Sequence, residues 1–110
     1  MEISYEDFLK VDIRVGRILE AKVFSEARKP AYKLLIDFGP LGKKRSSAQI
    51  TRRYNPEELT GRLIVAVVNF PPKRIAGYSS QVLVLGAVPG EGDVVLLRPD
   101  AEVEPGTRIL

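Results

Sequence analysis

The chain has 110 residues, 45% of them apolar and 28% charged, with a net charge of +3. These are the proportions of an ordinary globular protein with room for one domain, residues 1–110. It contains no Cys and no His, which excludes a thiol nucleophile, a disulfide framework, a Ser-His-Asp triad and a zinc centre on such ligands. The stretch Met1 to Lys10 lacks the apolar stretch of a secretory signal, and the longest apolar run, Leu63 to Val68, is too short to span a bilayer. A cytoplasmic location without membrane insertion is expected.

Ser4 followed by Asp7 has the pattern of a capping box and predicts a short helix over 5–9. Val11, Ile13 and Val15 then alternate with Asp12, Arg14 and Gly16, the period of a strand. The alternation slips after Gly16, where Ile18 and Leu19 are adjacent. A bulge at the glycine is therefore expected to bend a long strand over 11–24, as strands of a small closed barrel must bend. Ser25 to Ala31 reads as a loop. Tyr32 to Phe38 is a second strand, ended by Gly39-Pro40 and Gly42. Lys43 to Ile50 is a third, polar on a solvent-facing side.

Asn55 as N-cap, Pro56 at the first helical position and Glu57 in the first turn predict a one-turn helix, stopped by Gly61. Arg62 to Asn69 is almost continuously apolar, as in a strand buried on both faces. Phe70-Pro71-Pro72 forces a rigid exit. Gln81 to Val88 and Asp93 to Arg98 read as strands joined through Pro89-Gly90-Glu91-Gly92, and Pro105 to Leu110 adds a last short strand. Five or six strands, two short helices and frequent Gly/Pro turns predict an all-β fold, a small closed or partly closed barrel. A five-stranded OB-fold is the first choice and an SH3-like barrel the alternative.

Charge is unevenly spread. Residues 1–80 carry 15 Lys/Arg against 9 Asp/Glu, whereas residues 81–110 carry 2 against 5. A basic zone suits a phosphate-bearing partner, although the same charge would serve as a plain solvated face. Lys33, Lys43, Lys44, Arg45, Arg52, Arg53, Lys73 and Arg74 are the candidate phosphate contacts, with Tyr32, Tyr54, Tyr78 and Phe70 available to stack on bases. Five neutralised phosphates would give a log affinity against log salt slope of roughly −3.5 to −4.5. Phe70, Pro72, Ile75 and Tyr78 are the candidate lining of an apolar pocket for polypeptide, or ordinary residues capping a barrel end. Arg14 is expected to pair with Asp12 or Asp37. No carboxylate spacing suggests an acid/base pair or metal site, and no Gly-rich phosphate loop precedes a helix. No catalytic residue, metal or cofactor is assigned, and a non-enzymatic role is expected.

Several segments resemble the tRNA-binding domain family. They are Val11-Asp-Ile-Arg-Val-Gly16, Lys33-Leu-Leu-Ile-Asp-Phe-Gly39, the run from Asn69 through Ser80 with its Asn-x-x-Pro-x-Arg-Ile-x-Gly-x-x-Ser pattern, and Pro105-Gly106 followed by Ile109. Ser46 to Thr51, Val68 to Pro72, Arg74 to Gly77 and Val82 to Gly86 are similar to the CsaA-type secretion chaperones within that family. The resemblance implies a single OB-fold domain that fills the chain and forms a homodimer binding tRNA and exposed, unfolded or precursor polypeptides, with the secretion machinery as a further partner. It adds Asn69 and Ser80 to the RNA contacts. The chain has Ala48-Gln49-Ile50 where the family tends to Ser-Gly-Ile, and Gln81-Val82-Leu83 where it tends to x-Gly-Met. These departures suit a more apolar, peptide-binding pocket. The alternative is a free-standing tRNA-binding protein with no chaperone role. The dimer contact is expected from residues 1–10 and from Val88 onward, where Ile109-Leu110 leaves an apolar end.

Overall fold

The structure, a computed structural model, describes residues 1–110. Ser4 caps helix α1 (Tyr5–Leu9): its hydroxyl accepts from the Asp7 N–H at 3.1 Å while the Asp7 carboxylate accepts from the Ser4 N–H at 3.3 Å. Strands β1 (Ile13–Val23), β2 (Tyr32–Asp37) and β3 (Lys43–Ala48) follow, with a 3-10 turn at Gly39–Leu41 between the last two. Helix α2 (Pro56–Leu59) leads into β4 (Leu63–Val67), every residue of which is buried. Then come β5 (Lys73–Ile75), β6 (Tyr78–Ser80), β7 (Leu83–Val84), β8 (Gly86–Gly90), β9 (Asp93–Leu96) and β10 (Arg108–Ile109).

The main sheet is antiparallel in the order β3-β2-β1-β4-β7, and β10 pairs with the start of β1. It curls until β3 meets residues 80–82. There the Gln81 N–H donates to the Arg45 carbonyl and the Arg45 N–H donates to Gln81 Oε1, both at 2.8 Å, while the Ser47 N–H donates to Ser80 Oγ at 2.9 Å. The result is a nearly closed five-stranded barrel with short helices, consistent with the OB-fold. Ile18, Leu34, Ile36, Phe38, Leu59 and Ile64 fill its centre, each with at most 1% exposure. Buried Ser46 satisfies its hydroxyl by donating to the Val82 carbonyl at 3.0 Å.

The bulge lies elsewhere than the sequence predicts. Pairing between β1 and β2 shifts register between Ile18 and Glu20, not at Gly16. Gly16 stays in regular register with Ile64, and its requirement is space. A Cβ there would sit 2.6 Å from Ile36 Cγ2 and 2.7 Å from Phe38 Cε1. Gly16→Ala should therefore overpack the core and cost about 1–3 kcal/mol, read as a lower urea midpoint at unchanged slope.

The predicted strand Gln81 to Val88 is broken in two. Gly86 starts β8 where a Cβ would meet Val94 Cγ1 at 2.5 Å and the Val95 carbonyl oxygen at 2.9 Å, so the chain leaves β4 there and pairs with β9 instead. No strand is expected from sequence over 73–80, yet β5 and β6 form a hairpin there. Its two-residue turn, Ala76-Gly77, has φ of 47° and 79°, the positive pair that two-residue hairpin turns favour. Ala-Gly signals that turn less clearly than Asn-Gly.

Candidate nucleic-acid and polypeptide interface

Alternation along β3 sends Lys43, Arg45 and Ser47 outward and Lys44, Ser46 and Ala48 to the barrel side. Register carries the outward row across the sheet: Arg45 lies opposite Leu35, Ser47 opposite Lys33, and Lys33 opposite Lys22 of β1. Tyr78 closes this face from the β5–β6 hairpin. Its hydroxyl donates to the Leu34 carbonyl at 3.3 Å, and its ring meets Phe24 edge-on at 5.3 Å. A shallow groove of about 220 Å³ results, bounded by Glu20, Lys22, Lys33, Arg45 and Tyr78.

Lys33 is the best-held cation of this groove. Its Nζ lies 4.8 Å from the Phe24 ring centroid, 5.2 Å from that of Tyr78 and 3.9 Å from the Glu26 carboxylate. Two aromatic faces favour the ammonium electrostatically and fix its position ahead of any ligand. A backbone N–H, then Lys33 and the Ser25 hydroxyl hold the Glu26 carboxyl below its ordinary range. Burial pushes the Tyr78 phenol up, against the opposing pull of Arg45, so it remains a protonated donor at neutral pH.

Across the seam of the barrel lies a second, larger groove of about 570 Å³. Ala48, Ile50, Phe70, Pro71, Ile75 and Leu83 are among its walls; Ser47, Gln49, Lys73, Ser80 and Gln81 supply the polar edge, and no carboxylate lines it. Phe70 is 53% exposed at the rim. The Phe70-Pro-Pro exit from β4 swings the chain out and lets the hairpin come back over β3.

The predicted contacts divide accordingly. Phe70 and Ile75 line the apolar groove, whereas Pro72 lies outside it and Pro71 takes its place. Tyr78 belongs to the basic groove instead, because it reaches across to β2. Lys73 edges the apolar groove, while neighbouring Arg74 points to the other face of the hairpin and donates to the Gly77 carbonyl at 3.2 Å. Lys43, Arg45, Lys73 and Arg74 have no acidic partner within ion-pair distance.

Other predicted RNA contacts are committed within the chain. Arg53 grips the Asp93 carboxylate with two hydrogen bonds, one of 2.8 Å from Nη2, and Arg52 donates to the Glu91 carbonyl at 3.3 Å. Together they anchor the β8–β9 turn. The hydrogen bond raises the Arg53 pKa and lowers that of Asp93. Asn69 spans β4 and the segment after α1: its Oδ1 accepts from the Asp12 N–H at 2.9 Å and its Nδ2 donates to the Lys10 carbonyl at 2.7 Å. Asn69→Ala should lower stability by about 1–2 kcal/mol through loss of both bonds. The salt slope of tRNA binding should stay unchanged; a shallower slope would return Asn69 to the RNA contacts.

Ser80 accepts from Ser47 and keeps its own hydroxyl proton to donate. Tyr32 is buried and donates to the Tyr54 carbonyl at 2.6 Å; the Tyr54 hydroxyl accepts from the Leu96 N–H at 3.0 Å. Neither ring is placed to stack on a base. Arg14 pairs with Asp12 at 2.6 Å as expected, while Asp37 accepts from the Gly39 N–H at 2.8 Å. Sequence reasoning missed Lys22 and Phe24. Continued alternation through Glu20 and Lys22 would have placed Lys22 outward, but the bulge that sets it opposite Lys33 carries no local signal.

A model of the tRNA-binding domain family matches residues 13–108. The chain belongs to that family. Its fold is similar to the chaperone CsaA of Bacillus anthracis str. Ames, with a TM-score of 0.97 at 61% identity and all of both chains covered. The CsaA chaperone protein of Picrophilus torridus gives a TM-score of 0.92 at 56% identity, covering 99% of this chain and 100% of that one. Among curated relatives, the methionine–tRNA ligase of Archaeoglobus fulgidus is 44% identical over 108 residues; these make up 98% of this chain but only 16% of the ligase. The chain thus spans about a sixth of the ligases it matches. No helix is long and apolar enough to cross a membrane.

Proposed function

We propose that the protein is a non-enzymatic, CsaA-like chaperone of the cytoplasm that holds unfolded or precursor polypeptides and also binds tRNA. The observation carrying this reading is the acid-free apolar groove, rimmed by exposed Phe70, beside a groove in which two aromatic rings hold Lys33, and Arg45 lies at the edge. An apolar cleft with polar edges takes a side chain of an unfolded segment. Lys33, Arg45 and Tyr78 offer RNA two charges and one ring, with Lys43, Lys73, Arg74 and the Ser80 hydroxyl beside them. Full-length likeness to two CsaA chaperones supports the client role; likeness to a part of methionine–tRNA ligases supports the tRNA role. The secretion machinery is the further partner this reading implies.

The same reading has residues 1–110 act as one domain in a homodimer. Helix α1 buries none of its residues, and Ile3, Tyr5, Leu9, Val88, Leu97 and Leu110 are exposed. The two ends of the chain are tied together, since Arg108 Nη2 donates to the Leu9 carbonyl at 3.0 Å. Apolar side chains left exposed at the chain ends and on the β8–β9 segment favour self-association. Sedimentation at micromolar concentration should show a dimer; monomer alone would refute it.

Anisotropy of a labelled unfolded precursor peptide tests the client role. Phe70→Ala and Ile75→Ala should each weaken peptide binding about tenfold, as truncating an anchor of 1–2 kcal/mol would. Absence of peptide binding with tRNA binding intact would leave the second reading, a free-standing tRNA-binding protein, which the family match favours.

A further inference from the structure

We infer that RNA and polypeptide exclude one another on a protomer, so that each displaces the other from it. This rests on the reading above, that both are bound. The two grooves are the two sides of one seam. Arg45 bounds the basic groove, and its backbone N–H and carbonyl are both bonded to Gln81, which lines the apolar groove. Two residues along β3, about 7 Å, Ser47 lies in the apolar groove, opposite Lys33 of the basic one. Its N–H donates to Ser80, another apolar-groove residue, at 2.9 Å.

Charge draws RNA across that seam. From Lys33 and Arg45 the cations continue along β3 to Lys43 and, across the seam, to Lys73, whose strand position pairs with Ser80 on the far edge. A phosphate backbone following these charges meets no carboxylate in the apolar groove and covers its mouth. A polypeptide seated on Phe70 and Ile75 covers Lys73 and Ser80 in turn. Neither groove needs to change shape, because the overlap is of occupants. Coupling of this kind is reciprocal: whatever tRNA does to peptide affinity, peptide does to tRNA affinity.

The test uses the full chain, bulk tRNA and a fluorescein-labelled unfolded precursor peptide. Each is first titrated alone, then the peptide is titrated at fixed tRNA concentrations. With free tRNA at ten times its own Kd, the apparent peptide Kd should rise about elevenfold and keep rising in proportion to tRNA. Arg45→Glu should raise the tRNA Kd and the tRNA concentration for half-displacement by one common factor. A peptide Kd that stays constant, or levels off within twofold, while both ligands bind singly overturns the exclusion and leaves the functional reading standing. Failure of either ligand to bind alone overturns that reading, and the exclusion with it.

Discussion

Replacing Lys33 and Arg45 together by glutamate is expected to weaken tRNA binding at least 100-fold at fixed salt. Hydrogen bonds to charged groups contribute roughly 1.5–3 kcal/mol each, so losing two exceeds 3 kcal/mol before any repulsion of phosphate is added. Lys33 should account for a large share, because the Phe24 and Tyr78 rings hold its ammonium in place and less freedom is lost on binding. The pair Lys33→Gln with Arg45→Gln should give a smaller loss of the same kind. Filter binding against bulk tRNA reads the effect, with circular dichroism to establish that each variant is folded. Affinity within threefold of wild type would move the RNA contact off this face.

The second large effect concerns stability. Phe38→Ala should cost about 3–5 kcal/mol, the range for emptying a buried aromatic site. Phe38 is wholly buried, and its ring packs against the Gly16 position, where only a hydrogen leaves room. The loss is a large part of the 5–15 kcal/mol that holds a domain of this kind together. A fall in Tm of roughly 15–20 °C is expected. A fall below 5 °C would mean that the barrel centre does not depend on this ring.

The two predictions differ in how legible their residues were. The helix at Ser4, the strands Tyr32–Asp37 and Leu63–Val67 and the one-turn helix after Asn55 follow from caps and periodicity, because those signals are local. In sequence Phe38 marks only the end of a strand. Its place at the centre depends on strands far apart in sequence. The basic face was half legible: Lys33, Lys43 and Arg45 stood out as charge, but Lys44 turns to the barrel side by simple alternation, and Arg52 and Arg53 serve Glu91 and Asp93 some forty residues away. Tyr78 changed grooves because a hairpin with no strong turn signal carries it over β3. Gln81, in sequence the start of an expected strand and a departure from the family pattern, joins the two ends of the barrel through its backbone and its side chain.

Exposed patches of charge are common, so the decisive quantity is how many phosphates this face engages. Five cations lie on or near it: Lys33, Lys43, Arg45 and Lys73, with Arg74 on the other side of the β5–β6 hairpin. The dependence of tRNA affinity on salt between 50 and 200 mM should give a log–log slope of roughly −3.5 to −4.5, counting five released counterions per protomer. A slope near zero, or one left unchanged by the Lys33/Arg45 charge reversal, would contradict the account at its root.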